Sequence, residues 1–103
     1  MDMIHALLDS TQVIRLIQQE GVPYEVCVEA LASHDRCKNL LTVQLRAFLR
    51  AENHEHIGEV SAPSWLPAPQ TVTEHVGAEE AHALAADVLN TWRHKVEGCL
   101  PKL

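Results

Sequence analysis

The chain has 103 residues, enough for one small domain, and 47% of them are hydrophobic although only 4% are aromatic. A core of Leu, Val, Ile and Ala, with four glycines in the whole chain, favours helices packed on helices over a sandwich of strands. The formal net charge of −6 repels a phosphate backbone, and the basic residues are scattered, so nucleic-acid binding is not expected.

The N-terminal residues carry no basic segment and no long apolar run. We therefore expect neither a signal peptide nor a membrane span. The cysteines Cys27, Cys37 and Cys99 show no CxxC spacing. Unpaired thiols of this kind are typical of a reduced compartment, so the expected location is cytoplasmic, or nuclear if the source is eukaryotic. The oligomeric state is left open.

The first half of the chain predicts helices joined by short turns. A short helix over residues 2–9 precedes one over residues 11–20, and Gly21 can take the positive φ that ends a helix. Pro23 suits the first turn of the next helix, and a further helix is predicted over residues 38–52. Apolar residues at helical spacing support this pattern: Val13, Leu16, Ile17, Val26, Cys27, Ala30, Leu31, Leu41, Leu45, Phe48 and Leu49.

A proline-rich connection is expected to follow. Residues 61–69 contain three prolines within seven residues, a composition that stays extended rather than hydrogen-bonding to itself. Trp65 and Leu66 lie in its middle, and we expect them to be packed on the bundle because a free linker rarely carries a Trp.

The strongest local prediction is a C-terminal helix over residues 78–97. Glu79 and Glu80 suit the positive end of its dipole. We therefore predict an all-α protein with a helical bundle over residues 1–52, a connecting segment over 53–77 packed on it, and an amphipathic helix over 78–98. The apolar stripe of that helix comprises Ala81, Leu84, Ala85, Val88, Leu89, Trp92 and Val96.

The combination of Gly21, Ala30-Leu31 and Leu45-Arg46-x-Phe48 within residues 11–50 resembles the three-helix ubiquitin-associated (UBA) domain. The resemblance implies a ubiquitin-binding surface made by Gly21, Val22, Leu45 and Leu49. Glu20 and Val22 depart from the family pattern, which often has Met and an aromatic residue there. Considered alone, the apolar residues of this set favour ordinary core burial.

The seven histidines are the compositional oddity, and His54-Glu55-His56 is the closest group. Zinc requires three or four convergent ligands, and the sequence has neither HExxH nor paired cysteines, so no metal site or cofactor is assigned. No nucleophile elbow or glycine-rich phosphate loop is present, so we expect no enzyme activity.

The sequence thus favours a non-catalytic protein–protein interaction module or adaptor, with ubiquitin as a possible partner. Two alternatives stay open. The first is a small standalone regulator or inhibitor, bacterial or from a phage, that binds a basic protein target through its acidic surface. The second is a His-rich metal-binding protein.

Overall fold

A twisted sheet and one helix make up most of the described chain. In a computed structural model of the protein, the described residues are 4–19, 21–51, 58–60 and 63–101. Within these ranges the chain forms five antiparallel strands followed by one α-helix. The elements in chain order are β1 (Ile4–Gln19), β2 (Val22–Asp35), β3 (Leu40–Ala51), β4 (Gly58–Val60), β5 (Gln70–His75) and α1 (Ala78–Cys99).

The first three strands form two long hairpins. β1 pairs with β2 along its length, and β2 pairs with β3 over residues 24–35 and 40–51. The other edge of β3 is shared by two strands, because β5 pairs with residues 40–45 and β4 pairs with residues 49–51. The sheet order is therefore β1-β2-β3, with β4 and β5 both beside β3.

Side chains alternate between two faces of this sheet, as the pleat of a strand requires. The face toward α1 is called the helix-side face, and the opposite one is called the outer face. The core lies between the helix-side face and α1. Its members from β2 and β3 pair across the two strands: Val26 with Leu49, Val28 with Ala47, Ala30 with Leu45 and Ala32 with Val43.

α1 lies across the helix-side face and packs on β1, β2 and β3. Its buried side chains recur at intervals of three and four residues, which places them along one side of the helix. The two alanines of this set are completely buried, and a methyl group allows the helix backbone to approach the sheet closely. The set consists of Ala81, Ala85, Leu89, Trp92 and Val96.

Trp92 also completes the backbone hydrogen bonding of the sheet. Residues 46–48 of β3 lie between the segments that pair with β5 and with β4. The indole Nε1–H of Trp92 donates a hydrogen bond to the backbone carbonyl of Arg46 at 3.1 Å. A hydrogen bond of this kind contributes about 0.5–1.5 kcal/mol net, so this contact helps to tie the helix to the sheet.

Both hairpins close with residues suited to their turns. Gly21 has φ 78°, in the left-handed region that favours glycine. At the second turn the carboxylate of Asp35 accepts hydrogen bonds from the backbone N–H groups of Cys37 and Lys38, at 3.0 and 3.3 Å. Asn39, with φ 50°, then reverses the chain, and Asn tolerates this conformation better than most residues.

The prediction of an all-α helical bundle is wrong. The described parts of residues 2–9 and 11–20 form β1, residues 40–51 of the predicted helix 38–52 form β3, and β2 replaces the helix predicted after Pro23. The UBA resemblance over residues 11–50 is overturned with it, because this region is an antiparallel sheet and not three helices. Gly21 does turn a corner, but between two strands.

Two register shifts in β1 explain why this strand was predicted as helical. The register with β2 shifts at Leu7 and again at Ile14, each of which is an extra residue opposite β2. An extra residue brings the next position back to the same face, so Leu7 and Leu8 both pack against the core although they are adjacent. Ile14 and Ile17 do so although they are three apart. These intervals of one and three imitate a helical stripe.

Burial of apolar residues on both faces of the sheet explains why β2 and β3 were also predicted as helices. Cys27 and Phe48 are buried on the outer face, at 0% and 8% exposure, and each is adjacent in sequence to a core residue, Val26 or Leu49. The helical interpretation joined these neighbours into one stripe. The underlying alternation in β2 and β3 has a period of two.

Two local predictions are confirmed. The helix predicted over residues 78–97 is α1, which continues to Cys99. Leu66 is buried in the core and Trp65 packs against it, so this segment is packed as expected, but on the sheet and α1 and not on a helical bundle. The stretch predicted as a connection, residues 53–77, nevertheless contributes β4 and β5 to the sheet.

Candidate functional site

A groove runs between α1 and the edge of the sheet formed by β5. Its volume is about 330 Å³, at the lower end of the range of small-ligand pockets. The floor and walls are mainly apolar, and the polar side chains lie along the rim. The lining consists of Leu45, Val72, Leu84, Val88 and Trp92, with Gln70, Asp87, Thr91 and Lys95 around them.

The groove exists because the apolar stripe of α1 is wider than the sheet surface that covers it. α1 packs over β1, β2 and β3, and β5 lies to the side of that contact. Leu84 and Val88, on the β5 side of the stripe, are therefore only partly buried. Val72 is in register with Val43, so its side chain faces the helix side and is also half-buried. These three residues leave apolar surface open in the groove.

β5 is an edge strand beside this groove. One of its edges pairs with β3, and no strand in the described ranges pairs with its other edge. Such an edge presents backbone N–H and C=O groups that another extended chain can pair with. A backbone template and an apolar groove therefore lie side by side.

Two charged groups occupy opposite parts of the groove rim. Lys95 Nζ lies 3.5 Å from the side-chain oxygen of Gln70 and 5.7 Å from the centroid of the Trp92 ring. Asp87 is eight residues earlier on α1, which is about 12 Å along the helix axis. Among the described residues neither group forms a salt bridge, so both charges face solvent at the rim.

The outer face carries two cross-strand ion pairs. Arg50 Nε donates to Glu25 at 2.8 Å, and Arg46 Nε donates to Glu29 at 2.9 Å. The Arg46 guanidinium also lies 4.5 Å from the centroid of the Phe48 ring. These contacts join β2 to β3 and cover the apolar residues between them, as cross-strand pairs do in antiparallel sheets.

The Glu29–Arg46 pair predicts a dependence of stability on pH. The hydrogen bond from Arg46 lowers the pKa of Glu29 below its usual value; partial burial opposes this, and the Arg46 charge and a bond from Thr11 reinforce it. A depressed folded-state pKa stabilises the fold above the unfolded pKa of about 4.3, and this contribution is lost as pH falls through the lower folded pKa.

We therefore expect Glu29→Gln to destabilise the protein near neutral pH and to have less effect in acid. The difference should stay below about 1 kcal/mol, because both partners of the pair are about one-third exposed. Urea unfolding of both proteins across a pH series measures it. A difference that does not change with pH would contradict the assignment.

Cys27 is a buried thiol on the outer face. Burial raises its pKa above the usual value, and the charge of Arg50 opposes this rise. Because the thiolate is the reactive form, Cys27 should be unreactive in the folded protein, whereas the exposed Cys37 should react.

Cys99 is partly exposed, so the test uses protein that carries Cys99→Ser. With a disulfide reagent at neutral pH, we expect Cys37 of this protein to react in a fast phase and Cys27 to react only after denaturation. Adding Cys37→Ser should abolish the fast phase and serves as the control. Modification of Cys27 in the folded protein at the rate of Cys37 would show that the outer face does not protect it.

A small polar cluster fixes the start of α1. The Nε2 atom of His34 lies 2.7 Å from the carbonyl oxygen of Val76 and donates to it in the Nε2–H tautomer. The backbone N–H of Val76 donates to the carbonyl of Asn39 at 2.9 Å. His34 is 2% exposed, so this imidazole holds the chain between β5 and α1 rather than lining a surface.

The structure separates the residues that the sequence grouped as a binding surface. Gly21 and the exposed Val22 lie at the β1–β2 turn, whereas Leu45 and Leu49 are 4% and 3% exposed on the helix-side face. Leu45 pairs with Ala30, eight residues along β2 from Val22, which is roughly 26 Å. The surface implied by the resemblance is not assembled in this fold, although Leu45 does line the groove.

The alternative of a His-rich metal-binding protein depends in part on residues outside the described chain. His54, Glu55 and His56 lie between β3 and β4 and are not among the described residues. Within the ranges that are described, no group of three or more His, Cys, Asp or Glu side chains is placed to hold a metal ion. The described part of the chain also contains no helix long and apolar enough to cross a membrane.

Comparisons with known proteins return no match: no family model, no curated protein and no solved structure is similar to this chain.

Sequence reasoning missed the groove because its residues come from three elements, β3, β5 and α1, and two of these, β3 and β5, were not predicted. The sequence predicts Leu84 and Val88 as apolar positions of the C-terminal helix, but not that the sheet leaves them partly open. Val72 falls in the segment predicted as a connection. The run of β-branched residues at 71–73 favours a strand and was the available signal for β5.

Proposed function

We propose that the protein is a non-catalytic protein–protein interaction module that binds an extended segment of a partner protein. The segment adds to the free edge of β5 and places alternate side chains in the groove between β5 and α1. The observation that carries the proposal is the adjacency of an apolar groove and a strand edge with which no described strand pairs. Strand addition uses both features, since the backbone supplies affinity and the pockets supply specificity.

The chemistry of the groove supports binding over catalysis. Its floor is apolar, and the two charged groups at its rim lie about 12 Å apart along the helix, too far to act together on one bond. The partner proposed here is a peptide segment, not ubiquitin bound through a UBA surface, because residues 11–19 and 21–50 form strands and their turns and not the three helices that such a surface requires.

A regulator that acts on a basic protein target remains compatible with this proposal. The net charge of −6 would speed encounter with such a target, and docking would still occur at the β5 edge. The association rate measured at several salt concentrations tests for such a target. Binding to a basic target should slow as salt is added, because salt screens the attraction between the charges.

The test begins with peptides selected from a displayed random library on the folded protein. Amide chemical shifts of the labelled protein should change in β5 and in the part of α1 that faces it. Methylation of the peptide backbone at nitrogens that face β5 should abolish binding, and methylation of the alternate nitrogens should not, because only one set pairs with the edge.

Val88→Glu supplies the variant for this test, and Val13→Glu supplies the matched control. Val88 lines the groove, whereas Val13 is 49% exposed on the outer face. We expect at least a tenfold loss of peptide affinity for Val88→Glu alone, with a dispersed amide spectrum showing that both variants fold. The proposal fails if no peptide is enriched, if selected peptides contact other surfaces, or if both variants bind equally.

A further inference from the structure

The groove has a direction as well as a shape. β5 runs from Gln70 to His75, and α1 begins three residues later and returns beside it. The contact between Lys95 and Gln70 shows that the C-terminal part of α1 lies beside the beginning of β5. The positive charge of Lys95 therefore marks one end of the groove, and Asp87 lies toward the other end.

A second carboxylate strengthens the negative end. Glu74 is exposed, and its register with Leu41 places it on the helix-side face of β5. In strand geometry it lies four residues from Gln70, roughly 13 Å along β5. This matches the spacing of about 12 Å between Lys95 and Asp87 on α1. The groove thus has a basic end lined by Lys95 and an acidic end lined by Asp87, and Glu74 adds negative charge on the β5 side beyond the lining at that end.

The spacing fits an extended chain with charges four residues apart. Residues i, i+2 and i+4 of a strand share one face and span about 13 Å. The outer two would reach the two charged ends of the groove, and the middle one would lie over the apolar wall formed by Val72 and Val88. An acidic residue suits the Lys95 end, and a basic residue suits the other.

Antiparallel pairing fixes the order of these residues. An antiparallel ladder is slightly more stable than a parallel one, and its added strand would start beside His75 and end beside Gln70. Resting on the function proposed above, we propose that the groove selects partner segments with the pattern basic-x-apolar-x-acidic, read from the N-terminus. The partner is a protein that exposes such an extended segment.

Three synthetic peptides with one threonine-rich framework test this order. Their central residues are Lys-Thr-Leu-Thr-Glu, the reversed Glu-Thr-Leu-Thr-Lys and the neutral Gln-Thr-Leu-Thr-Gln. Fluorescence anisotropy at low salt should show the Lys-first peptide binding about tenfold more tightly than the reversed one, since exposed ion pairs contribute modestly. The preference should weaken as salt is added.

The double variant Asp87→Lys with Lys95→Glu exchanges the charges at the two ends of the groove and is compared with the unaltered protein. Both positions are exposed on α1, and the exchange leaves the net charge unchanged. It should invert the preference between the two charged peptides and leave binding of the neutral peptide unaltered.

The outcomes separate this inference from the proposed function. Binding of all three peptides with equal affinity, a preference for the Glu-first order, or a preference that the double variant does not invert would overturn the charge pattern and leave the groove as a binding site. Failure of the neutral, charged and library-selected peptides alike would overturn both.

Discussion

Replacing Trp92 with alanine is expected to lower the free energy of unfolding by about 3–5 kcal/mol, the usual cost of truncating a buried aromatic residue. Trp92 is 2% exposed between α1 and the sheet, and its indole N–H is bonded to the Arg46 carbonyl. The substitution therefore leaves a cavity and removes this hydrogen bond between α1 and β3. Equilibrium urea unfolding followed by circular dichroism measures the loss.

Trp92→Phe separates these two contributions. Phenylalanine keeps much of the buried apolar area but has no N–H, so the expected loss is smaller, about 0.5–1.5 kcal/mol for the lost hydrogen bond. If Trp92→Ala and Trp92→Phe were both nearly neutral, α1 would not be packed on β3 through this residue.

Replacing Leu41 with alanine is expected to cost about 2–5 kcal/mol. Leu41 is completely buried on the helix-side face of β3 and is among the largest fully buried side chains of the described chain. The matched control is Leu31→Ala, because Leu31 is 41% exposed on the outer face of β2. That change should stay within about 0.5 kcal/mol.

This pair of leucines tests the fold itself. The helical interpretation of the sequence assigns both residues to the apolar stripes of a bundle, so both substitutions would then be costly. The sheet assigns them to opposite faces, one covered by α1 and the other open. Equal losses in thermal and urea unfolding would contradict the sheet, and a large difference agrees with it.

The sequence predicts the last element of this fold well and the first three poorly. α1 is bounded by an acidic first turn and a proline beyond its end, and its apolar stripe is uninterrupted, so local signals agree with the tertiary structure. In β1 the extra residues Leu7 and Ile14 disturb the period of two. In β2 and β3 the period of two is hard to recognise in the sequence, because Cys27 and Phe48 are apolar and buried on the outer face.

The candidate groove could be predicted only in part for a related reason. The sequence shows that Leu84 and Val88 are apolar and lie on one side of a helix, but not which part of that side the sheet covers. That depends on the pairing of β5 with β3 at residues far apart in the chain, which is a tertiary property. The same pairing places Lys95 beside Gln70 and so gives the groove its polarity.

The extra residues of β1 also affect how the molecule meets its own copies. β1 is the outermost strand on the side away from β5, and over 16 residues its outer edge is open within the described chain. An exposed edge of that length can pair with the edges of other molecules and so promote aggregation into fibrils. Between the two register shifts, the ladder with β2 is regular only from Leu8 to Val13. A strand of another molecule could therefore pair in register with β1 over this short stretch only. Deleting Ile14 would remove one of the two register shifts and lengthen the regular part of the β1 edge. We expect this variant to precipitate more readily than the unaltered protein.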